Sequence, residues 1–174
     1  MQKGLKKENT GETMGMYKYI RKTFEKEYHE REQIYRQRLA LWRSAGAIEK
    51  VERPTNLSRA RMLGYKAKQG IIIVRVRLTR GMRKRRKPSG GRKPGKNVRY
   101  LAPGVSLRHT AEQRANRKFS NMDVLNSYWV GADGQKKYFE VILVDAKLAG
   151  MNLARTRAYR GMTSAAKKMR GFRR

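Results

Sequence analysis

Hydrophobic positions along this chain keep two rhythms, and where both stop the chain turns cationic. Tyr17, Ile20, Phe24 and Tyr28 recur every three or four residues, and Ile34 or Tyr35, Leu39 and Trp42 carry the stripe on to Ser44. That spacing lines one face of a helix. No Pro or Gly interrupts it, so it predicts one long helix or two with a bend near Glu30. The aromatic side chains of the stripe read as core packing. Glu25, Glu27, Glu30 and Glu32 on the same helix would repel phosphate, so that surface should face solvent or a basic protein.

The second rhythm has a period of two. Residues 47–52 (AIEKVE) predict a short edge strand, ended by Arg53-Pro54. Asn56 can cap a short helix, LSRARML, that Gly64 closes. Ile71 to Leu78 is the clearest strand: Ile72, Val74, Val76 and Leu78 share one face, and Ile71, Ile73, Arg75 and Arg77 the other. Thr110 is predicted to cap a helix, TAEQRANRKF, with the Glu112 charge in its first turn. Val124 to Val130 and Tyr138 to Val144 predict a strand pair turned by Asp133-Gly134. The second of these is apolar on both faces and should be central. Tyr65, Tyr100, Tyr128 and Trp129 are interleaved aromatics that could stack on bases; Tyr128 and Trp129, lying within the first strand, read rather as packing residues. A last short helix is predicted near Ser164 to Met169. The alternation of helices and strands predicts one α+β domain with helices on both faces of the sheet. Residues 1–13 read as an extension, 14–145 as the domain, and 146–174 as a basic C-terminal extension.

Charge changes this picture most between the strands. The chain of 174 residues carries 44 Lys and Arg against 13 Asp and Glu, a net charge of +31. A small domain ordinarily carries a net charge of magnitude about 2–8. A charge this large makes a compact state repel itself unless a polyanion neutralises it, which points to nucleic acid. From Arg53 to Ala111 there is no acid and there are 18 Lys and Arg; after Asp145 there is none, and there are nine. Residues 81–100 hold nine cations, four Gly and two Pro in twenty positions with no periodicity, so this basic loop is predicted to be irregular and disordered when free. Its Arg83, Lys84, Arg85, Arg86, Lys87, Arg92, Lys93, Lys96 and Arg99 are candidate phosphate contacts.

Other chemistry is sparse. There is no Cys, hence no disulfide and no thiolate zinc site. His29 and His109 lack a second ligand at helical spacing, so no metal is expected. Residues 90–96 (GGRKPGK) imitate a nucleotide-binding P-loop, but Asn97 replaces the magnesium-binding hydroxyl, no strand directly precedes, and Pro94 removes an N–H donor. No cofactor is expected. Asp123, Asp133, Glu140 and Asp145 stand around one hairpin and could hold magnesium in a nuclease, though such residues more often cap turns or pair with Arg. No run approaches the roughly 20 apolar residues of a membrane span, and the N-terminus lacks a signal-peptide core, so a cytoplasmic protein is expected. The residues leave open an RNA-binding protein, a DNA-packaging protein and a basic nuclease.

Six motifs, in order, then point to a family: YKYI (17–20), LGYKAKQG (63–70), VRVRLTRG (74–81), VLNSYWVG (124–131), YFEVILVD (138–145) and RGMTSAAKKMRG (160–171). Over about residues 14–172 the chain resembles the archaeal and eukaryotic-type ribosomal protein L-fifteen family of the large subunit. The resemblance implies a small, mainly antiparallel sheet flanked by helices, with long basic extensions running into large-subunit ribosomal RNA. It implies a structural, non-enzymatic role beside neighbouring ribosomal proteins, with no membrane and no small-molecule substrate. It makes Lys66, Lys68, Arg75, Arg77, Arg80, Arg160, Lys167, Lys168 and Arg170 expected RNA contacts, beside Arg83 to Lys87. Family members usually begin at the Met-Gly before YKYI, so Met14 is a candidate start. The short tail after the last motif favours an archaeal source.

Overall fold

The computed structural model describes residues 15–81, 83–84, 88–95, 100–101 and 104–172, with 83–84 and 100–101 described as backbone only. The aromatic stripe forms two helices, α1 (Met16–Glu30) and α2 (Gln33–Ser44). Arg31 breaks them apart with a left-handed φ of 54°. That conformation costs an L-residue about 1–2 kcal/mol. Tertiary contacts offset it: the Arg31 guanidinium lies over the rings of Tyr28 and Tyr35 at 4.7 and 5.2 Å and donates to the Ala132 carbonyl at 3.2 Å. The acids of this region pair locally, Glu25 with Arg21, Glu27 with Arg38, and Glu30 and Glu32 with Lys26.

The main sheet is antiparallel with strand order β1 (Ile48–Val51), β2 (Ile71–Thr79), β6 (Lys136–Val144), β5 (Asp123–Ala132). Its register places Glu49 opposite Arg75, Arg75 opposite Glu140, and Glu140 opposite Tyr128. A polar row therefore crosses all four strands on one face. Gly131 follows a bulge in β5, and a Cβ there would stand 2.8 Å from the Trp42 ring. Only glycine lets α2 lie that close to the sheet.

Both faces of the sheet are covered. On one, Ile71, Ile73, Tyr138, Ile142 and Val144 pack with Tyr35, Leu39 and Trp42 of α2 and Ala60 of α3 (Leu57–Met62). On the other, Val74, Val76, Leu78, Val141 and Leu143 pack with Ala111 and Ala115 of α4 (Leu107–Lys118). Each fully buried Val or Leu stabilises the fold by about 1.5–3 kcal/mol. As predicted, Asn56 caps α3, accepting from the Arg59 N–H at 2.9 Å. The cap of α4 is Ser106, one turn earlier than the predicted Thr110; Thr110 lies inside the helix and donates its hydroxyl to the Ser106 carbonyl.

Two segments depart from the sequence reading. The base of the basic loop is paired: β3 (Arg83–Lys84) and β4 (Tyr100–Leu101) form a two-stranded antiparallel ladder where an irregular chain is predicted. The chain after Asp145, read as a basic extension, packs against the domain, and the short helix predicted at Ser164–Met169 is present. It forms α5 (Ala146–Ala149), capped by Asp145, and α6 (Ser164–Met169), and it buries Ala149, Ala158, Thr163, Ala165 and Ala166. Small alanine side chains let this basic segment lie against the fold while Lys147, Arg155, Arg160, Lys167 and Lys168 stay exposed.

Candidate nucleic-acid interface

The cations singled out by sequence fall into three places and two conditions. Strand β2 has Lys66 and Lys68 before one end and Arg80 after the other. Its nine residues hold these groups roughly 26 Å apart at the usual rise per residue. The third group, Arg160, Lys167, Lys168 and Arg170, lies on and beside α6. It is anchored by Thr163, whose hydroxyl donates to Glu112 of α4 at 2.5 Å.

Arg75 and Arg77 are taken up by the fold. The Arg75 side chain is 15 % exposed, pairs with Glu140 at 3.5 Å and Glu49 at 3.9 Å, and lies over the Trp42 ring at 4.7 Å. Its Nε is buried with no hydrogen-bond partner among the described residues, so the indole face compensates part of that charge. Arg77 donates to the carbonyls of Trp42 and Arg43 at 3.3 and 2.5 Å, satisfying the C-terminal end of α2. Exposed Arg80 and Lys68 do similar work. Arg80 donates to the Asp133 carbonyl at 2.9 Å, and Lys68 to the Ala149 carbonyl at 2.8 Å. Arg170 donates to the Gly161 carbonyl at 2.7 Å and lies over Phe172.

The remaining candidates are open. Lys66, Arg92, Lys93, Arg160, Lys167 and Lys168 are exposed, and their side chains form no hydrogen bond or ion pair among the described residues. Gly90 and Gly91 take φ of 65° and 75° in open surroundings, letting backbone approach a partner closely. Arg83 and Lys84 are placed by their backbone pairing alone. Arg85, Arg86, Lys87, Lys96 and Arg99 lie outside the described residues.

The carboxylates around the hairpin each have a structural task. Asp123 accepts from the Thr156 N–H at 2.7 Å and so ties down the C-terminal segment. Asp145 caps α5, and Asp133 closes the hairpin by accepting from the Gln135 and Lys136 N–H groups. Burial opposes the Asp133 charge, but those two bonds, the Tyr138 hydroxyl and the Arg43 charge hold its carboxyl below the usual range. Glu140 is fully buried and accepts from Thr55 N–H, the Thr55 hydroxyl and the Tyr128 hydroxyl as well as Arg75. Burial, then the Glu140 charge and hydrogen bond, push the Tyr128 phenol far up, so it serves as a permanent donor.

Sequence reasoning missed three residues of this second layer. Glu112, read as a charge in the first turn of its helix, is fully buried and joins Ser127, Thr163 and His109. Arg108, in the same acid-free stretch, turns back onto the edge of β5. It donates to Ser127 Oγ at 2.9 Å, Asn126 Oδ1 at 2.8 Å and the Ser127 carbonyl. Burial lowers its pKa; Glu112 opposes that and the nearby Arg59 charge adds to it. Arg157 likewise covers the Val124 carbonyl. Unpaired strand edges invite association, and these arginines close this one. A carbonyl position on an edge strand carries no sequence signal of its own.

Among the described residues no helix is long and apolar enough to cross a membrane. Residues 15–174 match the family model described as Ribosomal L15. The chain belongs to the Ribosomal L15 family. Among its relatives is a protein of Nanoarchaeum equitans named "Large ribosomal subunit protein eL15", 46% identical over 172 residues, covering 92% of this chain and 90% of that protein. A protein of the same name from Methanocorpusculum labreanum is 46% identical over 168 residues, covering 90% of this chain and 87% of its own. The resemblance read from six motifs thus extends over nearly the whole chain.

Proposed function

We propose that the chain is a structural constituent of the large ribosomal subunit, acting in the cytoplasm by binding and stabilising large-subunit ribosomal RNA. The family match along residues 15–174 carries this reading. The cation geometry supports it. Open lysines and arginines on separate sides of a small fold suit a body packed between several RNA segments. Each cation that meets a phosphate releases a counterion, so log affinity falls linearly with log salt. Base sequence matters little to such contacts, because A-form helices are met through phosphate, 2′-OH and shape. Lys66, Arg92, Lys93, Arg160, Lys167, Lys168 and the loop cations 83–87, 96 and 99 are the proposed contacts. Lys68, Arg80 and Arg170 add charge from held positions, while Arg75 and Arg77 act through the fold. Neighbouring large-subunit proteins are its further partners. The role is binding without catalysis, cofactor, membrane or small-molecule substrate.

Sedimentation of cell extract tests this. The endogenous protein should travel with large subunits at moderate salt; travel with the nucleoid instead would make it a DNA-packaging protein. Purified protein should leave RNA intact in the presence of magnesium. Cleavage that disappears in Asp123→Asn and Asp145→Asn would make it a nuclease.

A further inference from the structure

One cleft is built differently from the open cationic surface. It lies between α1, α3 and the edge of β5, and holds about 480 Å³. Sites for small organic groups span roughly 300–1,000 Å³. Its walls are set by the docking of α1 on α3, where Arg61 donates to the Tyr17 hydroxyl and lies over that ring.

Three layers of the cleft have separate chemistry. Phe24 and Trp129 supply the aromatic wall, meeting edge to face at 6.3 Å and 85°. Tyr28 holds the same indole edge-on at 4.7 Å. Trp129 itself is half-buried and also packs against the core cluster beneath α4. Asn56 and Ser58 supply polar groups. They are only 8% and 4% exposed, yet the Asn56 Nδ2 and the Ser58 hydroxyl have no hydrogen-bond partner among the described residues. Both residues line the cleft. Arg59 and Arg108 supply charge. Arg108 is held by three hydrogen bonds, and the exposed Arg59 guanidinium has no partner among the described residues. Glu25, the one carboxylate in the lining, is paired with Arg21 at 2.8 Å.

A flat ring system, a hydrogen-bonding edge and an attached anion would satisfy all three layers together. We propose that this cleft receives one unstacked nucleotide of the bound RNA. Its base lies against Trp129 and Phe24, its edge meets Asn56 and Ser58, and its phosphate meets Arg59. Sequence-selective RNA recognition works on such splayed bases, where aromatic rings and base edges are accessible. The inference rests on the RNA-binding reading above and adds to it one contact that is neither diffuse nor indifferent to RNA structure.

The test uses the full chain and large-subunit ribosomal RNA stripped of protein and carrying 4-thiouridine. Irradiation followed by mass spectrometry should find a nucleotide joined to Phe24, Trp129 or a neighbouring residue of the cleft. Trp129→Leu should weaken binding about tenfold with the salt slope unchanged, because stacking is lost and no phosphate contact is. Arg59→Ala, at an exposed position the fold does not use, should make the slope shallower by about one. If Trp129→Leu does not fold, the crosslink and Arg59→Ala decide. Tight, salt-dependent RNA binding with no crosslink in the cleft and an unaltered Arg59→Ala slope overturns the nucleotide site and leaves the RNA-binding reading standing. A chain that does not bind this RNA at all overturns both.

Discussion

Arg75 and Arg92 come from the same acid-free stretch of chain and end in opposite conditions. Arg75 sits in a strand whose neighbours deliver Glu49 and Glu140 to either side of it and Trp42 above it. Arg92 sits in a loop, exposed and with no carboxylate partner among the described residues. The two are equivalent in any local count of charge. Their difference shows that a cation's availability to a polyanion depends on which strand lies beside it. A fold with a net charge of +31 still consumes arginines to neutralise its few buried acids, to stack on its aromatics and to cover its helix ends and sheet edge.

The sharpest way to break this comparison is Glu140→Ala. It removes the carboxylate that Arg75, Thr55 and Tyr128 share, and leaves a largely buried guanidinium short of its main partner. The expected loss of stability is about 3–5 kcal/mol, measured by urea unfolding. RNA affinity should fall only with the folded fraction. A full-stability variant with weakened RNA binding would move Arg75 to the interface.

A smaller effect is expected from Thr163→Val, which keeps the side chain's shape and takes one hydrogen bond from buried Glu112. The expected cost is about 1–3 kcal/mol. An unchanged unfolding transition would return the C-terminal segment to the status of a free extension.

Tyr138 gives a pH-dependent test of the packed side of the comparison. Burial, followed by the Asp133 charge and hydrogen bond, pushes its phenol from 10.0 up to about 12. A raised pKa means that the folded state favours the protonated form. Its contribution is therefore complete below pH 10 and is lost as pH rises towards about 12. Denaturant titrations across that window should show stability falling in the wild type and falling less in Tyr138→Phe. Parallel curves would exclude it.

The smallest effect on stability belongs to the open side. Arg92→Ala with Lys93→Ala should leave stability within about 0.5 kcal/mol. The pair should make the salt dependence of RNA binding shallower by about two. Loss of stability would place these residues in the fold and erase the contrast with Arg75.

Much of the architecture was legible because it is local. The alternation in residues 71–78, the Asp133-Gly134 turn, the Asn56 cap and the α2 half of the aromatic stripe appear as predicted, whereas the α1 half, read as core packing, is only half-buried because α1 buries no residue completely. The break at Arg31 was legible only as one of two alternatives, a bend near Glu30 or one long helix, since nothing in its neighbours forces a left-handed residue. The Ser106 cap was missed because Thr110 carries the same capping chemistry one turn later. The pairing of residues 83–84 with 100–101 was missed because it joins segments far apart in a stretch without periodicity.

The sequence by itself determined the charge, the α+β class and, through its separated motifs, the family. Those follow from composition and from spacing within a few residues. The tertiary structure alone decided which cations remain available. Register across the sheet set Glu140 against Arg75, the return of α4 put Arg108 on a strand edge, and packing buried Ala149, Ala158, Ala165 and Ala166 of the basic C-terminal segment. Each of those outcomes depends on residues brought together from distant positions, where short-range pattern carries no information.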